Sequence, residues 1–402
     1  METRKYYLNL LKKYKDLEQI KIVTGVRRSG KSFLLKQFQK YLHDLETDKN
    51  QIAYLNFESF EFSPYRKAED LYQFLKEHYS QSKKVYFLFD EIQEVEDWQR
   101  LVNALRVDFN SDIYLTGSNA SMLSGELATY LTGRFIKIEM MPLSFVEYLN
   151  FTKQTKKDPK YHSLLLENYI RYGGFPAVAL LDDLSIKENI LFEISENIIL
   201  RDVAIRGGIS DLEILKRIVK FLLDSIGQSI SVTNIVNNLT FAKVNTSKKT
   251  VSKILTLLED AYIFYACDRF DLRGKARLKT TPKYYVVDTG LRNQLLGELS
   301  GNLGGQLETI VFLELHRLGF EVYTGRLGEK EIDFVVVKKG IISYIQVAYQ
   351  LPKNTHETDN LLAIRDNYQK LVITQNYDDV GIIEGIPIIH VSDFLLNSEI
   401  YL

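Results

Sequence analysis

Eight consecutive residues constrain this chain more than any others: Gly25-Val26-Arg27-Arg28-Ser29-Gly30-Lys31-Ser32 fits G-x-x-x-x-G-K-[ST] at every fixed position. Two glycines let a backbone curl its amides around phosphate oxygens, the lysine reaches the outer phosphates, and the following hydroxyl can take a magnesium ligand position. The flanks agree. Ile20, Ile22 and Val23 read as a buried strand before the loop, and Phe33, Leu34, Leu35, Phe38, Tyr41 and Leu42 as a helix with a wide buried face after it. The alternative is a chance match in an ordinary glycine turn, and the strand-loop-helix order argues against it. The nucleotide-contacting set is Gly25, Arg28, Ser29, Gly30, Lys31, Ser32 and Phe33.

Length bounds what can be attached to such a loop: 402 residues hold roughly two to four domains. Hydrophobic content of 45% and charged content of 26% are those of a globular protein with large cores. A net charge of -1 neither demands nor excludes nucleic acid, because a basic face can be offset by acid elsewhere. Cys267 is the only cysteine, which excludes an intramolecular disulfide and a cysteine-based zinc site and fits a reducing compartment. No apolar run approaches membrane-spanning length, and Met1-Glu2-Thr3-Arg4-Lys5 opens no signal-peptide core, so the expected location is cytoplasmic.

Further strands are expected at 52–57, at 85–89 and at 113–116, with a fifth around 136–139. Near-continuous apolar runs separated by helices indicate an α/β fold in which a parallel sheet is covered on both faces. The third run ends in Asp90-Glu91. A carboxylate in that place holds Mg²⁺ beside the loop hydroxyl, so Ser32 and Asp90 are the metal candidates, and Glu91 is set to orient or deprotonate an attacking water. The fourth run leads into Gly117-Ser118-Asn119, where Asn119, with Ser118 second, can hydrogen-bond a γ-phosphate or the water. Both are also preferred helix caps, which is the plainer reading. Arg134 precedes the fifth run and lies near the rim of the sheet, where it can reach a neighbouring subunit's nucleotide or simply complement a helix end.

Taken together, GVRRSGKS, FLFDEIQ, LTGSNASMLSGE, LTGRF and PLSFVEYL, in that order, resemble the AAA-type ATPases of bacteria and archaea, of the AAA+ superfamily, whose C-terminal domain has no assigned function. The resemblance implies ATP and Mg²⁺ as cofactors and a homo-oligomer, in the extreme a hexameric ring. It makes Lys31 and Ser32 the first nucleotide motif, Asp90 and Glu91 the second, Asn119 the polar sensor and Arg134 the arginine finger. It also implies a helical lid over 143–206 after a P-loop core over 1–142.

Residues 207–300 read as a winged helix, with Lys248, Lys249 and Lys253 at the start of the recognition helix and Arg269, Arg273, Lys275, Arg277 and Lys279 in a wing loop. Basic clustering favours DNA contact over a plain protein-binding module. Over 301–402, Glu308, Asp333 and Gln346 fall where a PD-(D/E)xK nuclease core places its acids. Gln346 is neutral and Ala348 stands where a lysine is needed, so this domain reads as catalytically degenerate, with Lys338 or Lys353 as migrated replacements to consider. The expected function is ATP hydrolysis coupled to remodelling or translocation of DNA, including branched DNA. The alternatives are an ATP-driven oligomerisation switch that recruits a protein partner and an ATP-gated nuclease.

Overall fold

The computed structural model describes residues 2–123, 133–154, 159–274, 276–297, 301–351 and 356–402. It comprises two compact units, Met1–Met141 with Asp260–Tyr262, and Pro142–Glu259 with Ile263–Leu402.

In the first unit, β1 (Ile20–Thr24), β2 (Ile52–Asn56), β3 (Val85–Asp90), β4 (Ser111–Thr116) and β5 (Phe135–Glu139) form a parallel sheet ordered β2-β3-β4-β1-β5. Every residue of β1 and β3 is buried, so their apolar side chains fall on both faces with no alternation. Helices α1 (Lys5–Lys13) and α2 (Lys31–Asp44) cover one face with Leu11, Leu34, Leu35, Phe38 and Leu42. Helices α3 (Ala68–His78) and α4 (Trp98–Asp108) cover the other with Leu71, Leu75, Trp98, Leu101 and Leu105. A buried pair, Lys21 Nζ to Asp112 Oδ1 at 2.6 Å, ties β1 to β4 within the core. Because β4 lies between β1 and β3, the segments that follow these three strands meet at one edge of the sheet, and the site is built there.

The second unit begins with the helices Phe145–Phe151, Pro159–Tyr172, Pro176–Ala179 and Leu184–Asn197, the last continuing into a π-helical turn over Ile198–Ile205. These are the segments expected as a lid, and they cluster with the second unit, not with the phosphate-loop sheet. Their junction with the helix Thr289–Leu296 has a physical reason: the buried Asp288 carboxylate accepts from Gly174 N at 2.6 Å and from Leu291 N at 3.0 Å. A Cβ on Gly173, at φ +75°, would fall 1.9 Å from that carboxylate, so only glycine fits there.

Three helices, Leu212–Asp224, Val232–Phe241 and Lys248–Asp260, precede the antiparallel hairpin β6 (Phe264–Asp271) and β7 (Ala276–Val286). Between the first two of these helices, Ser229 forms an isolated antiparallel bridge with Lys283 on β7, and three helices followed by a hairpin are the order of a winged helix. The expected wing loop is therefore mostly strand: Arg269 and Arg277 lie in paired positions, and the turn shortens to the residues around Arg273. The hairpin does not end the sheet. β8 (Glu321–Leu327), β9 (Lys330–Lys338), β10 (Ile341–Ala348), β11 (Gln369–Thr374), β12 (Gly381–Ile383) and β13 (Ile386–His390) join it in the order β12-β13-β11-β10-β9-β8-β6-β7. Pairing of β6 with β8 puts strands from residues 207–300 and from residues 301–402, which the sequence suggests as two domains, into one sheet.

Candidate functional site

The loop after β1 has the backbone its glycines predict. Gly25 sits at φ +135° with Met140 O 2.1 Å from where a Cβ would be, Gly30 at +104°, and Arg28 is also left-handed at +69°. Gly30 is the N-cap of α2, so the loop delivers its amides to a helix N-terminus, where the dipole favours negative charge. Lys31 is buried and its ammonium donates to Gly25 O at 2.8 Å and Val26 O at 3.0 Å, folding back over the loop. The Ser29 hydroxyl is buried with no hydrogen-bond partner among the described residues. A loop that turns through positive φ at Gly25, Arg28 and Gly30 into a helix N-terminus, with a buried hydroxyl unpartnered among the described residues, fits a phosphate group. Arg4, from the segment before α1, is buried and donates to Ser29 O at 3.2 Å and to Met141 O, bracing the loop from behind.

Asp90 ends β3 fully buried. Its carboxylate accepts from Thr116 Oγ1 at 2.6 Å, from Tyr54 OH at 3.1 Å and from the Ser32 hydroxyl. Burial pushes its pKa above the ordinary carboxylate value, against these donors and with the neighbouring Glu91 charge adding to the rise. The Ser32 and Asp90 oxygens are thus adjacent, the arrangement a hard divalent cation needs from a hydroxyl and a carboxylate. Glu91 is left-handed at φ +54°, turning the chain sharply after β3, and its backbone N donates to Thr116 Oγ1 at 2.9 Å. Its side chain accepts from Gln93 Nε2. Thr116 therefore joins both acidic residues, and it went unnoticed in the sequence because a threonine ending a strand reads as strand propensity. Ser118 and Asn119 are buried just beyond it.

Arg134 stands apart from this cluster. Its carbonyl accepts from Ile20 N at 2.9 Å, and Phe135 is in register with Ile20, so Arg134 lies at the N-terminal edge of the sheet and is exposed. The helix expected before it falls in 124–132, outside the described residues.

In the second unit Lys248, Lys249 and Lys253 are exposed over the first turns of their helix, and Arg273 is exposed at the hairpin turn. Lys275 lies outside the described residues. Glu308 on the helix Leu303–Arg317 and Asp333 on β9 come together, and Asp333 accepts from Val347 N at 2.8 Å while its own N donates to Gln346 Oε1 at 3.3 Å. The cation that sequence reasoning found missing from this group is present. Lys283 of β7 is buried with Nζ 2.8 Å from Glu331, 3.3 Å from Glu308 and 3.7 Å from Asp333. The replacements considered lie elsewhere: Lys338 is exposed with its ammonium over the Phe320 ring, and Lys353 is outside the described residues.

A family model for an AAA domain matches residues 17–149, and a model for a domain of unknown function matches 163–300. The latter falls on the helical segments and the winged helix, not on the last hundred residues. An uncharacterized protein of Haemophilus influenzae is 48% identical over 398 residues, 99% of either chain. An uncharacterized protein of Methanocaldococcus jannaschii is 32% identical over 376 residues, 90% of this chain and 81% of the relative. A Walker-type ATPase of Pyrococcus abyssi superposes at a TM-score of 0.48 with 14% identity, covering 73% of this chain and 96% of that one. With a full-length relative at this identity and an AAA-domain match over the phosphate loop and its sheet, the chain belongs to the AAA-type P-loop ATPase family of bacteria and archaea.

Proposed function

We propose that this protein binds and hydrolyses ATP at the edge of the five-stranded sheet and couples turnover to remodelling or movement along DNA. The observation that carries the first half is the junction of Ser32, Asp90, Thr116 and Glu91 opposite a glycine-lined loop with Lys31 inside it. In this reading the amides of residues 28–33 bind the phosphates, and Lys31 leaves the carbonyls of Gly25 and Val26 to meet the γ-phosphate charge. Ser32 and Asp90 hold Mg²⁺, which neutralises phosphate oxygens when bound. Glu91, released from Gln93, takes a proton from the attacking water, and Asn119 orients that water. Arg134 acts on the nucleotide of a neighbouring copy.

Support for the DNA half comes from the exposed Lys248, Lys249 and Lys253 at a helix N-terminus beside a winged hairpin bearing Arg273. Such a surface suits phosphate contact and groove insertion. We place the protein in the cytoplasm; among the described residues no helix is long and apolar enough to cross a membrane. The discriminating experiment is steady-state ATPase measured without DNA and with duplex, single-stranded and junction DNA. Stimulation by one of these forms is the expected result. Turnover indifferent to all of them overturns the coupling and leaves an ATP-driven assembly switch.

A further inference from the structure

We infer that Lys283 is the resident cation of the Glu308–Glu331–Asp333 cluster, and that its ammonium holds the place a divalent metal would otherwise take. The cluster is assembled from four elements. Glu308 comes from the helix Leu303–Arg317, Glu331 and Asp333 from β9, Gln346 from β10 and Lys283 from β7. Lys283 Nζ is within 4 Å of all three carboxylates, and Tyr285 OH donates at 3.0 Å to the same Glu308 oxygen that Lys283 meets. A magnesium or manganese ion bonded to that oxygen would sit about 2.0–2.2 Å from it, inside the space that the ammonium and the phenol already fill.

The neighbouring acceptors are hydrogen-bonded as well: Asp333 Oδ2 accepts from Val347 N at 2.8 Å, and the Gln346 carbonyl oxygen accepts from Asp333 N at 3.3 Å, while Asp333 Oδ1 faces the Lys283 ammonium at 3.7 Å. Among the described residues no set of three or more His, Cys, Asp or Glu is arranged to hold a metal. Burial alone would lower the pKa of Lys283, but Glu308, Asp333 and Glu331 outweigh it and hold the ammonium protonated above its ordinary range.

The local chain explains how a lysine from the winged hairpin arrives there. The register of β6 and β7 slips between Cys267 and Arg269, where β7 carries Thr281 at φ +50° followed by Pro282. A bulge of this kind re-aims the next side chain, and Ile230 N, hydrogen-bonded to Pro282 O at 2.9 Å, fixes the kink from the other side. Lys283 then links the hairpin to the helix and to β9, so the cluster works as an internal ion-pair lock and supplies no metal chemistry.

The test is Mn²⁺ binding to the full-length protein, followed by the electron paramagnetic resonance of the free ion without nucleotide. Binding, read as a fall in the free-ion signal, is assigned to this cluster when Asp333→Asn abolishes it. Wild type is expected to show no cluster-dependent binding, and Lys283→Gln to acquire one Mn²⁺ per chain that Lys283→Gln with Asp333→Asn does not bind. Lys283→Arg keeps a cation and is expected to stay metal-free. Wild-type binding lost in Asp333→Asn overturns the inference, as does a folded Lys283→Gln that takes up no Mn²⁺. Should Lys283→Gln fail to fold, the wild-type comparison decides, together with cleavage of DNA in Mg²⁺ or Mn²⁺. No cleavage is expected, and cleavage abolished by Asp333→Ala would show a working metal site.

Discussion

At the scale of single residues, the proposed nucleotide site separates what short motifs disclose from what they hide. Lys31, Ser32, Asp90 and Glu91 stand in local patterns that can be picked out of the sequence by spacing. Thr116, Tyr54 and Lys283 act across 25 residues or more, so nothing beside them in the chain marks them. Lys31→Ala is expected to abolish ATP binding or turnover. Glu91→Gln keeps the shape that Gln93 contacts but cannot accept a proton, so nucleotide affinity is expected to persist while kcat falls about 10²- to 10⁴-fold. Wild-type turnover in Glu91→Gln would remove it as the base. Asp288 makes a second residue-scale prediction. Burial raises its pKa to about 6 from 3.8, against donation by the backbone of Gly174, Leu291 and Gly290. A raised folded pKa gives stability that is present at low pH and lost as pH climbs through it. The stability of wild type relative to Asp288→Asn is therefore expected to fall between pH 4 and about 7, by about 3 kcal/mol at about 1.36 kcal/mol per pK unit. Denaturant unfolding across that range checks the sign, and a difference that grows with pH refutes the assignment.

Among the elements, the strands and α2 of the first unit are legible because the central strands β1 and β3 are buried throughout and α2 presents a continuous apolar face. The outer half of the hairpin β6-β7 is not. Its arginines and lysines read as a solvated loop, whereas Arg277 is a strand residue whose guanidinium reaches Glu321 on β8. Charge on an outward strand face looks the same in sequence as charge in a loop, and only pairing with β8 tells them apart. This moves the expected DNA surface toward the helix Lys248–Asp260. The Ser247 hydroxyl accepts from Thr250 N at 3.0 Å, fixing the first turn, and Val251, Ile254, Leu255 and Leu258 bury the opposite face, so the lysines stand on a rigid support. Replacing Lys248, Lys249 and Lys253 by glutamine is expected to weaken DNA binding. The slope of log K against log salt should become shallower by about one unit for every phosphate that a native lysine neutralises. The folded helix keeps its apolar face in this variant, so an unchanged slope would take the DNA site away from it.

For the molecule as a whole, the position of Arg134 bears on how copies of the chain would work together. β1 rises roughly 3.3 Å per residue, so its five residues separate Arg134, at the N-terminal edge, from the phosphate loop by about 16 Å. An arginine side chain does not span that distance around the sheet to its own site, and Arg134 is exposed, free of any structural burial that would explain it. A neighbouring copy docked against that edge would receive its guanidinium, and a fixed cation there stabilises charge that develops in the transition state. Such a finger contributes on the order of 10³ to 10⁵ in turnover, whereas an exposed charge at a helix end contributes a few tenths of a kcal/mol, so the two roles are well separated by experiment. Arg134→Ala is expected to bind ATP with near-wild-type affinity and to turn over poorly. Mixed with Lys31→Ala subunits, which keep Arg134 but lack a working site, it is expected to regain activity at interfaces that pair an intact arginine with an intact phosphate loop. Full activity of Arg134→Ala alone, or activity per subunit independent of concentration in a demonstrated monomer, would remove the finger and the oligomer together.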